Sequence, residues 1–367
     1  MTTAINGNSV PTGPSATLGI AVLGAGRIAG IHARSLRAAA GIRVVGVADP
    51  DRAAAEHLAT ILGTRPHERW EALLEEEGVD AVMICSASSA HAEQVVAAAA
   101  GGRHVFCEKP LAPDLAGVDA AVAAVERAGV VLHIGFNRRF DPSFSGLAAT
   151  MASGRLGRLL QLRITSRDPE PPPPSYPRGP GGLFSDMAIH DFDVARFVSG
   201  EEVVAVSAAG ANLVDPLAGA AGDIDVATVT LHLASGAIGL IECCRQSTYG
   251  YDQRVEVHGS DATAWSTNPL PSTNVMADGA GAVTVPLHRF FPERYEQAYP
   301  AELAAFLAAC RGGEVSGPAP ARGTDARAAL VLAIAAQRSL TERRTVAIGE
   351  VDGAPGPAAT ATEGVAS

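Results

Sequence analysis

Lysine is all but missing from this sequence: of 28 lysine and arginine residues in a chain of 367, one alone is lysine, Lys109 in "HVFCEKPLAPD". A guanidinium is planar and permanently charged, whereas an ammonium is a compact donor whose pKa moves with burial. A chain that uses arginine at every other cationic position singles out Lys109 as a candidate for chemistry, with coding bias and chance as the competing reading. Aromatic residues are also scarce, 5% against 47% hydrophobic residues overall, which points to helices packed through small side chains. Positive charge is outnumbered, 28 basic against 39 acidic residues, and the net charge of −11 argues against nucleic acid or an anionic membrane as partner. The five cysteines, Cys85, Cys107, Cys243, Cys244 and Cys310, are odd in number and lack paired zinc spacing, so they read as reduced and mostly buried. No apolar run reaches the roughly 20 residues of a membrane span. The first 17 residues have neither the basic start nor the apolar run of a signal peptide. A cytoplasmic protein with disordered tails at 1–17 and 347–367 is expected.

What is present is a rhythm. The apolar runs "LGIAVLG", "IRVVGVAD", "DAVMICSA", "RHVFCEK" and "VVLHIGF" alternate with alanine-rich helical segments, near Ala29 to Ala40, Pro50 to Leu62, from His91, and Leu115 to Ala128. Continuous apolar strands between helices predict an α/β, doubly wound parallel sheet over 18–138. After a helix near Ser143 to Ser153 the pattern changes. "RLLQLRITSRD", "EVVAVSAAGANLV", "DVATVTLHLASGAIGLIECCRQ" and "QRVEVHGS" suit an open, largely antiparallel sheet, with a hairpin at Ala-Ser-Gly and a helix inserted at "LFSDMAIHDFDVARFV". This α+β substrate-binding and oligomerisation domain is expected over 139–346. Late helices near Ala301 to Cys310 and Thr324 to Leu340 are expected to pack on the sheets and back on the first domain.

"VLGAGRIAGIHARSL" carries Gly24, Gly26 and Ala29 in the order G-x-G-x-x-A, between a strand and a helix. Such a turn lets a pyrophosphate approach the backbone, with the amides at the helix start, Arg27 and Ile28, facing the phosphates. Asp49 follows the second strand, 20 residues beyond Ala29, where a carboxylate accepts hydrogen bonds from the adenosine ribose and repels a 2′-phosphate. NAD is favoured. Arg52 leaves NADP open, and capping of the next helix is the structural alternative for Asp49. Ser86 and Ser88, after the strand "DAVMIC", are further cofactor candidates, with N-capping as the alternative for them and for His91.

Lys109 also follows a strand, at the carboxyl edge of the sheet. Here the chain resembles the glucose-fructose oxidoreductase / inositol dehydrogenase / MocA (Gfo/Idh/MocA) family, whose "EKP" is Glu108, Lys109 and Pro110. "GFNRRFDPSF", "SRDPEPPPPSY", "GGLFSDMAIHDFDVARF", "YGYDQRVEVHGS" and "FFPERYEQAY" are similar in this order to the inositol 2-dehydrogenase branch, over about residues 18 to 346. The resemblance implies an N-terminal Rossmann domain, a cis peptide in the Lys-Pro region, Glu108 near the nicotinamide ribose, and Lys109 on the substrate hydroxyls. It further implies polyol contacts from Asn137, Arg138, Asp168 and a tyrosine of "YGYD", Tyr249 or Tyr251, and a homotetramer formed through the second sheet. Some members of that branch have methionine where Asn137 stands and asparagine where Asp168 stands, which leaves the inositol isomer open.

The residues carry a chemical argument of their own. Asp186 and His190 are four apart in a helical segment, so both emerge on one face, where a carboxylate can orient an imidazole as general base. Lys109 then stabilises charge on the oxygen as hydride passes to nicotinamide. Asp186, His190 and Lys109 are the expected catalytic and substrate-touching trio, and the resemblance implies that the alcohol is myo-inositol, oxidised by an inositol 2-dehydrogenase. A metal at "DMAIHDFD" is not expected, because Asp191 and Asp193 fall on other helical faces and no second histidine stands at ligand spacing. The rival enzymatic reading is a dehydrogenase or reductase of another cyclitol or sugar. A non-catalytic dinucleotide-binding regulator is the rival from another class, and such a protein would have lost the trio. For Arg138 and Arg139 a structural ion pair is the alternative, and for the two tyrosines a packing role.

Overall fold

Strands buried on both faces need helices on both sides, and the computed structural model, which describes residues 17–174, 176 and 181–353, has that arrangement. Strands β1 (Leu18–Leu23), β2 (Ile42–Ala48), β3 (Arg65–His67), β4 (Ala81–Ile84), β5 (His104–Glu108) and β6 (Leu132–Gly135) form one sheet in the order β3-β2-β1-β4-β5-β6. Every pair in it is parallel. The strand order reverses between β1 and β4, so a crevice opens there at the carboxyl ends. Ile20 and Val22 face one core with Ala29, Ala33 and Leu36, while Ala21 and Leu23 face the other.

Helices α1 (Arg27–Ala38), α2 (Arg52–Leu62), α3 (Trp70–Leu74), α4 (Ser88–Ala100) and α5 (Leu115–Ala128) complete this unit. The expected starts at Ala29, Pro50 and His91 are displaced by two or three residues. The bounds of α5 are those expected, because Asp114 accepts the Gly117 N–H at 2.8 Å and Gly129 takes φ +65° beyond its end. β3 and α3 were not anticipated: "RPH" has no apolar run, and its proline is tolerated on an edge strand.

Helix α6 (Pro142–Ala152) leads to β7 (Leu159–Arg167), then to one π turn (Phe184–Ala188) that runs into α7 (Ile189–Ser199). Next come β8 (Val203–Ala211), β9 (Val226–Leu233), β10 (Ile238–Cys244), β11 (Asp252–Gly259), β12 (Thr263–Ser266), the hairpin β13 (Val275–Asp278) and β14 (Gly281–Thr284), and β15 (Val346–Ala347). The second sheet has the order β12-β11-β7-β10-β9-β8-β15. It is antiparallel, with the expected Ala-Ser-Gly hairpin between β9 and β10, except that β7 and β10 run parallel. That single parallel pair sets Cys244 beside Arg167, so Asp168 and Arg245 leave the sheet at the same end.

Helix Ala298–Cys310 returns to the first unit, where Leu303, Phe306 and Leu307 share a core with Leu18 and Ile20. Helix Gly323–Glu342 approaches α5 so closely that a Cβ at Gly323 would lie 2.5 Å from Val122. The C-terminal boundary expected at 347 needs correction. Ala347 pairs with Ala205, and the helical turn Gly349–Asp352 follows, held by Glu350 on Arg344 at 2.7 Å. The rest of both expected tails, 1–16 and 354–367, lies outside the described residues, as do 175 and 177–180 of the proline-rich loop. Among the described residues no helix is long and apolar enough to cross a membrane.

Candidate active site

Gly24 takes φ +95°, and a Cβ there would meet the backbone of Cys85 and Ser86 at 2.5 Å, so the β1–α1 turn packs directly on the end of β4. Gly26 is different. A Cβ at Gly26 would meet nothing within 4 Å, so no protein contact requires glycine there, while a ligand lying against the backbone would. No side chain caps α1, which leaves the amides at Arg27 and Ile28 for an anion. The Arg27 side chain turns the other way, its guanidinium over the rings of Phe291, Phe290 and Tyr176, and Ile28 packs into the core.

Asp49 accepts the Ala25 N–H at 2.7 Å and the Asp51 N–H at 2.8 Å, fixing its carboxylate beside the glycine turn. Asp51, not Asp49, caps α2. Arg52 is turned away, exposed and bound to Glu56 at 2.8 Å. Ser86 donates to Gln94 at 2.6 Å, and Ser88 opens α4 without capping it. His91 is buried with its ring nitrogens on the carbonyls of Pro110 (2.8 Å) and Ser86 (3.1 Å), tying the two strand-end loops together.

The Lys109–Pro110 peptide is cis. Lys109 Nζ donates to the Asp186 carbonyl at 3.0 Å and lies 3.8 Å from Asp186 Oδ1. The carboxylate of Asp186 is taken from two sides, by Tyr176 Oη on Oδ1 at 2.9 Å and Arg245 Nη2 on Oδ2 at 2.7 Å. Burial pushes Asp186 up, but Lys109 and Arg245 outweigh it and hold the group below the usual carboxylate value. No hydrogen bond among the described residues joins Asp186 to His190, which corrects the expectation that one orients the other. The π turn changes the helical spacing between them, and Arg245 and Tyr176 hold the carboxylate.

His190 lies edge-on to Phe136, with Nδ1 buried and without a hydrogen-bond partner. Burial, then the charges of Lys109 and Arg138, push it well below the usual histidine value, so it is neutral near pH 7. Asn137 is also buried with its amide nitrogen unpartnered. Asp168 lies 3.6 Å from Arg245, and burial raises it to about 6 against that partner.

Other candidates make contacts within the protein. Arg138 is buried against Asp191 at 2.5 Å, and Arg139 against Asp193 in two hydrogen bonds, which accounts for the acidic cluster of α7. Tyr251 is buried, packed edge-on to Phe290 and Tyr295. Tyr249 is half exposed and bound to Asp252 and Arg167, in a separate pocket with Arg254 and Asn268. Glu108, which the resemblance sets near the nicotinamide ribose, makes a contact inside the protein. Its carboxylate is buried, 2.7 Å from His32 Nε2.

Two family models divide the chain: residues 18–136 match an oxidoreductase family described as an NAD-binding Rossmann fold, and 144–265 match the GFO/IDH/MocA C-terminal domain. The myo-inositol 2-dehydrogenase of Thermotoga maritima is 43% identical over 339 residues, 91% of this chain and 99% of that protein. The chain belongs to the Gfo/Idh/MocA oxidoreductases. The crystal structure of a myo-inositol dehydrogenase from Corynebacterium glutamicum superposes on this family member with a TM-score of 0.84 at 37% identity, covering 90% of this chain and 98% of that one. That of scyllo-inositol dehydrogenase from Lactobacillus casei, with bound NAD(H) and scyllo-inositol, gives 0.82 at 25% identity, covering 91% and 99%.

This Gfo/Idh/MocA oxidoreductase is an NAD-binding enzyme similar to inositol 2-dehydrogenases. Its open space at Gly26, uncapped α1 and fixed Asp49 fit the dinucleotide. Two residues of the site escaped sequence reasoning. Tyr176 sits in the proline-rich loop with no periodic signal, and Arg245 is one arginine among many. The only hint to Arg245 was that "SRD" and "CCR" both end strands, and parallel pairing of those strands could not be read from either.

Proposed function

We propose that this enzyme oxidises one secondary alcohol of a cyclitol, myo-inositol to 2-keto-myo-inositol (scyllo-inosose). The observation that carries the reading is the convergence of Lys109, Asp186 and Arg245 at the carboxyl edge of β5, beside a neutral His190 whose side chain makes no hydrogen bond among the described residues. When bound, NAD supplies the hydride acceptor. Gly24, Gly26, Asp49 and the first amides of α1 hold its phosphates and adenosine ribose.

His190, neutral because burial and two cations disfavour its charged form, takes the hydroxyl proton at Nε2, since Nδ1 is buried. The Lys109 ammonium stabilises charge developing on the same oxygen, and a general base with such a partner supplies about 10²–10⁴-fold in rate. Asp186 holds that ammonium in place. Asn137 and Asp168 offer an unpaired amide donor and a carboxylate to other ring hydroxyls.

The identity of the oxidised isomer rests on a panel of polyols, myo-inositol, scyllo-inositol and aldoses, with NAD and NADP. The reading predicts turnover of myo-inositol with NAD, and loss of turnover with retained NAD binding in Lys109→Ala and His190→Ala. Turnover of scyllo-inositol or an aldose alone would move the assignment to that substrate. Assembly through the second sheet, where Ile238 and Trp265 are exposed, is part of the same proposal and is checked by light scattering.

A further inference from the structure

Behind Lys109 lies a buried group of ionisable side chains that the proposed chemistry does not use: His32 from α1, Glu108 from β5, His133 from β6 and Glu302 from helix Ala298–Cys310. Two of them form a chain that ends at Lys109. His32 Nε2 lies 2.7 Å from Glu108 Oε1, and Glu108 Oε2 accepts the Lys109 backbone N–H at 3.3 Å. The carboxylate has room for this because β6 carries glycine opposite it. Glu108 pairs with Gly135, where a Cβ would lie 2.9 Å from the Glu108 carboxyl carbon. His32 Nδ1 is buried without a partner, so the imidazole is held through Nε2 on Glu108. Edge-on contacts with Phe106 and Tyr299 hold the ring in that orientation.

We infer that His32 is a positioning residue for Lys109: through Glu108 it fixes the backbone of the lysine to the dinucleotide helix, so that the cofactor turn and the substrate-touching ammonium share one rigid frame. Glu108 is then a strut under Lys109. The inference rests on the reading of Lys109 as a group that touches substrate. The strut itself is measurable without turnover, because Lys109 is the sole lysine. Labelling the protein with ¹⁵N-lysine gives a single backbone amide resonance, that of the hydrogen-bond donor in question.

His32→Phe keeps the aromatic packing and removes the hydrogen bond. Combined with Glu108→Gln it leaves no unpaired carboxylate in the interior, so the double variant is the one that retains the fold. In both variants the Lys109 amide resonance is expected to move. With any polyol the wild type oxidises, kcat should fall about 10- to 100-fold, the scale of a catalytic group displaced by a fraction of an ångström to an ångström. NAD affinity by titration should stay within about twofold, since no side chain of the glycine turn is altered. Gly135→Ala, which pushes on the carboxylate from the other side, should displace the same resonance. A folded double variant with the Lys109 amide unmoved and kcat unchanged would overturn the inference. If the wild type oxidises no polyol, the assigned reaction fails, and the amide resonance still decides the strut.

Discussion

Arg245 holds Asp186 and Asp168 together: one guanidinium donates to Asp186 Oδ2 at 2.7 Å and reaches Asp168 Oδ2 at 3.6 Å. It joins the strand end that carries Asp168 to the helix that carries His190. Arg245→Met removes a charge-assisted hydrogen bond worth about 1.5–3 kcal/mol and leaves a carboxylate with the Tyr176 hydrogen bond and, 3.8 Å away, the Lys109 ammonium. The expected outcome is a kcat/KM lower by roughly 10- to 100-fold. Tyr176→Phe, which removes a neutral donor from the same carboxylate, should cost less, and steady-state kinetics of the two variants check the order.

The glycines of the cofactor turn separate stability from binding. Gly24→Ala forces a side chain onto φ +95° and into the backbone of Cys85 and Ser86, and should cost at least the 1–3 kcal/mol of a strained backbone, visible as a lower Tm. Gly26→Ala meets open space, so its Tm in the absence of ligand should match the wild type while NAD affinity by titration drops. A Gly26→Ala protein that binds NAD normally would remove that turn from the cofactor site.

Asp49 is expected to set the cofactor preference. Its oxygens are fixed by Ala25 and Asp51 amides, and Arg52 is turned to Glu56, away from a 2′-phosphate. Asp49→Ser should lower kcat/KM for NAD and raise it for NADP, narrowing the ratio by about tenfold or more. Parallel assays with the two cofactors measure this directly.

Acid should act through Asp168. His190 is held well below the usual histidine value, whereas burial lifts Asp168 to about 6. A fall in kcat/KM below pH 6 is therefore expected to come from Asp168 and to disappear in Asp168→Asn. The stability effect has the opposite sign. A carboxyl whose pKa is raised by folding binds its proton more tightly in the native state, so stability falls as pH rises from about 4, the unfolded value, to about 6, and is level above that. Chemical denaturation of wild type and Asp168→Asn across this window shows whether the slope belongs to that residue.

Much of this architecture was legible in the sequence because its signals are local. Apolar runs marked β1, β2, β4, β5 and β6, the glycine spacing with Asp49 marked the cofactor turn, and compositional uniqueness marked Lys109. What escaped depends on pairing across the chain. The parallel contact of β7 with β10 brings Arg245 to Asp168, and neither strand announces its partner. The π turn breaks the four-residue logic that joined Asp186 to His190. Tyr249 and Tyr251, two residues apart, read as neighbours on one strand face. Gly250 at φ +120° sends one outward and the other into the core.

The central claim is that Lys109 and His190 act on one hydroxyl. Its most direct test is the steady-state reduction of NAD by myo-inositol in wild type, Lys109→Arg and His190→Ala, with NAD affinity measured alongside. The account predicts turnover in the wild type and a loss of about 10²-fold or more in both variants at retained NAD affinity. A Lys109→Arg enzyme that turns over at the wild-type rate would contradict it, and would make the single lysine an accident of composition.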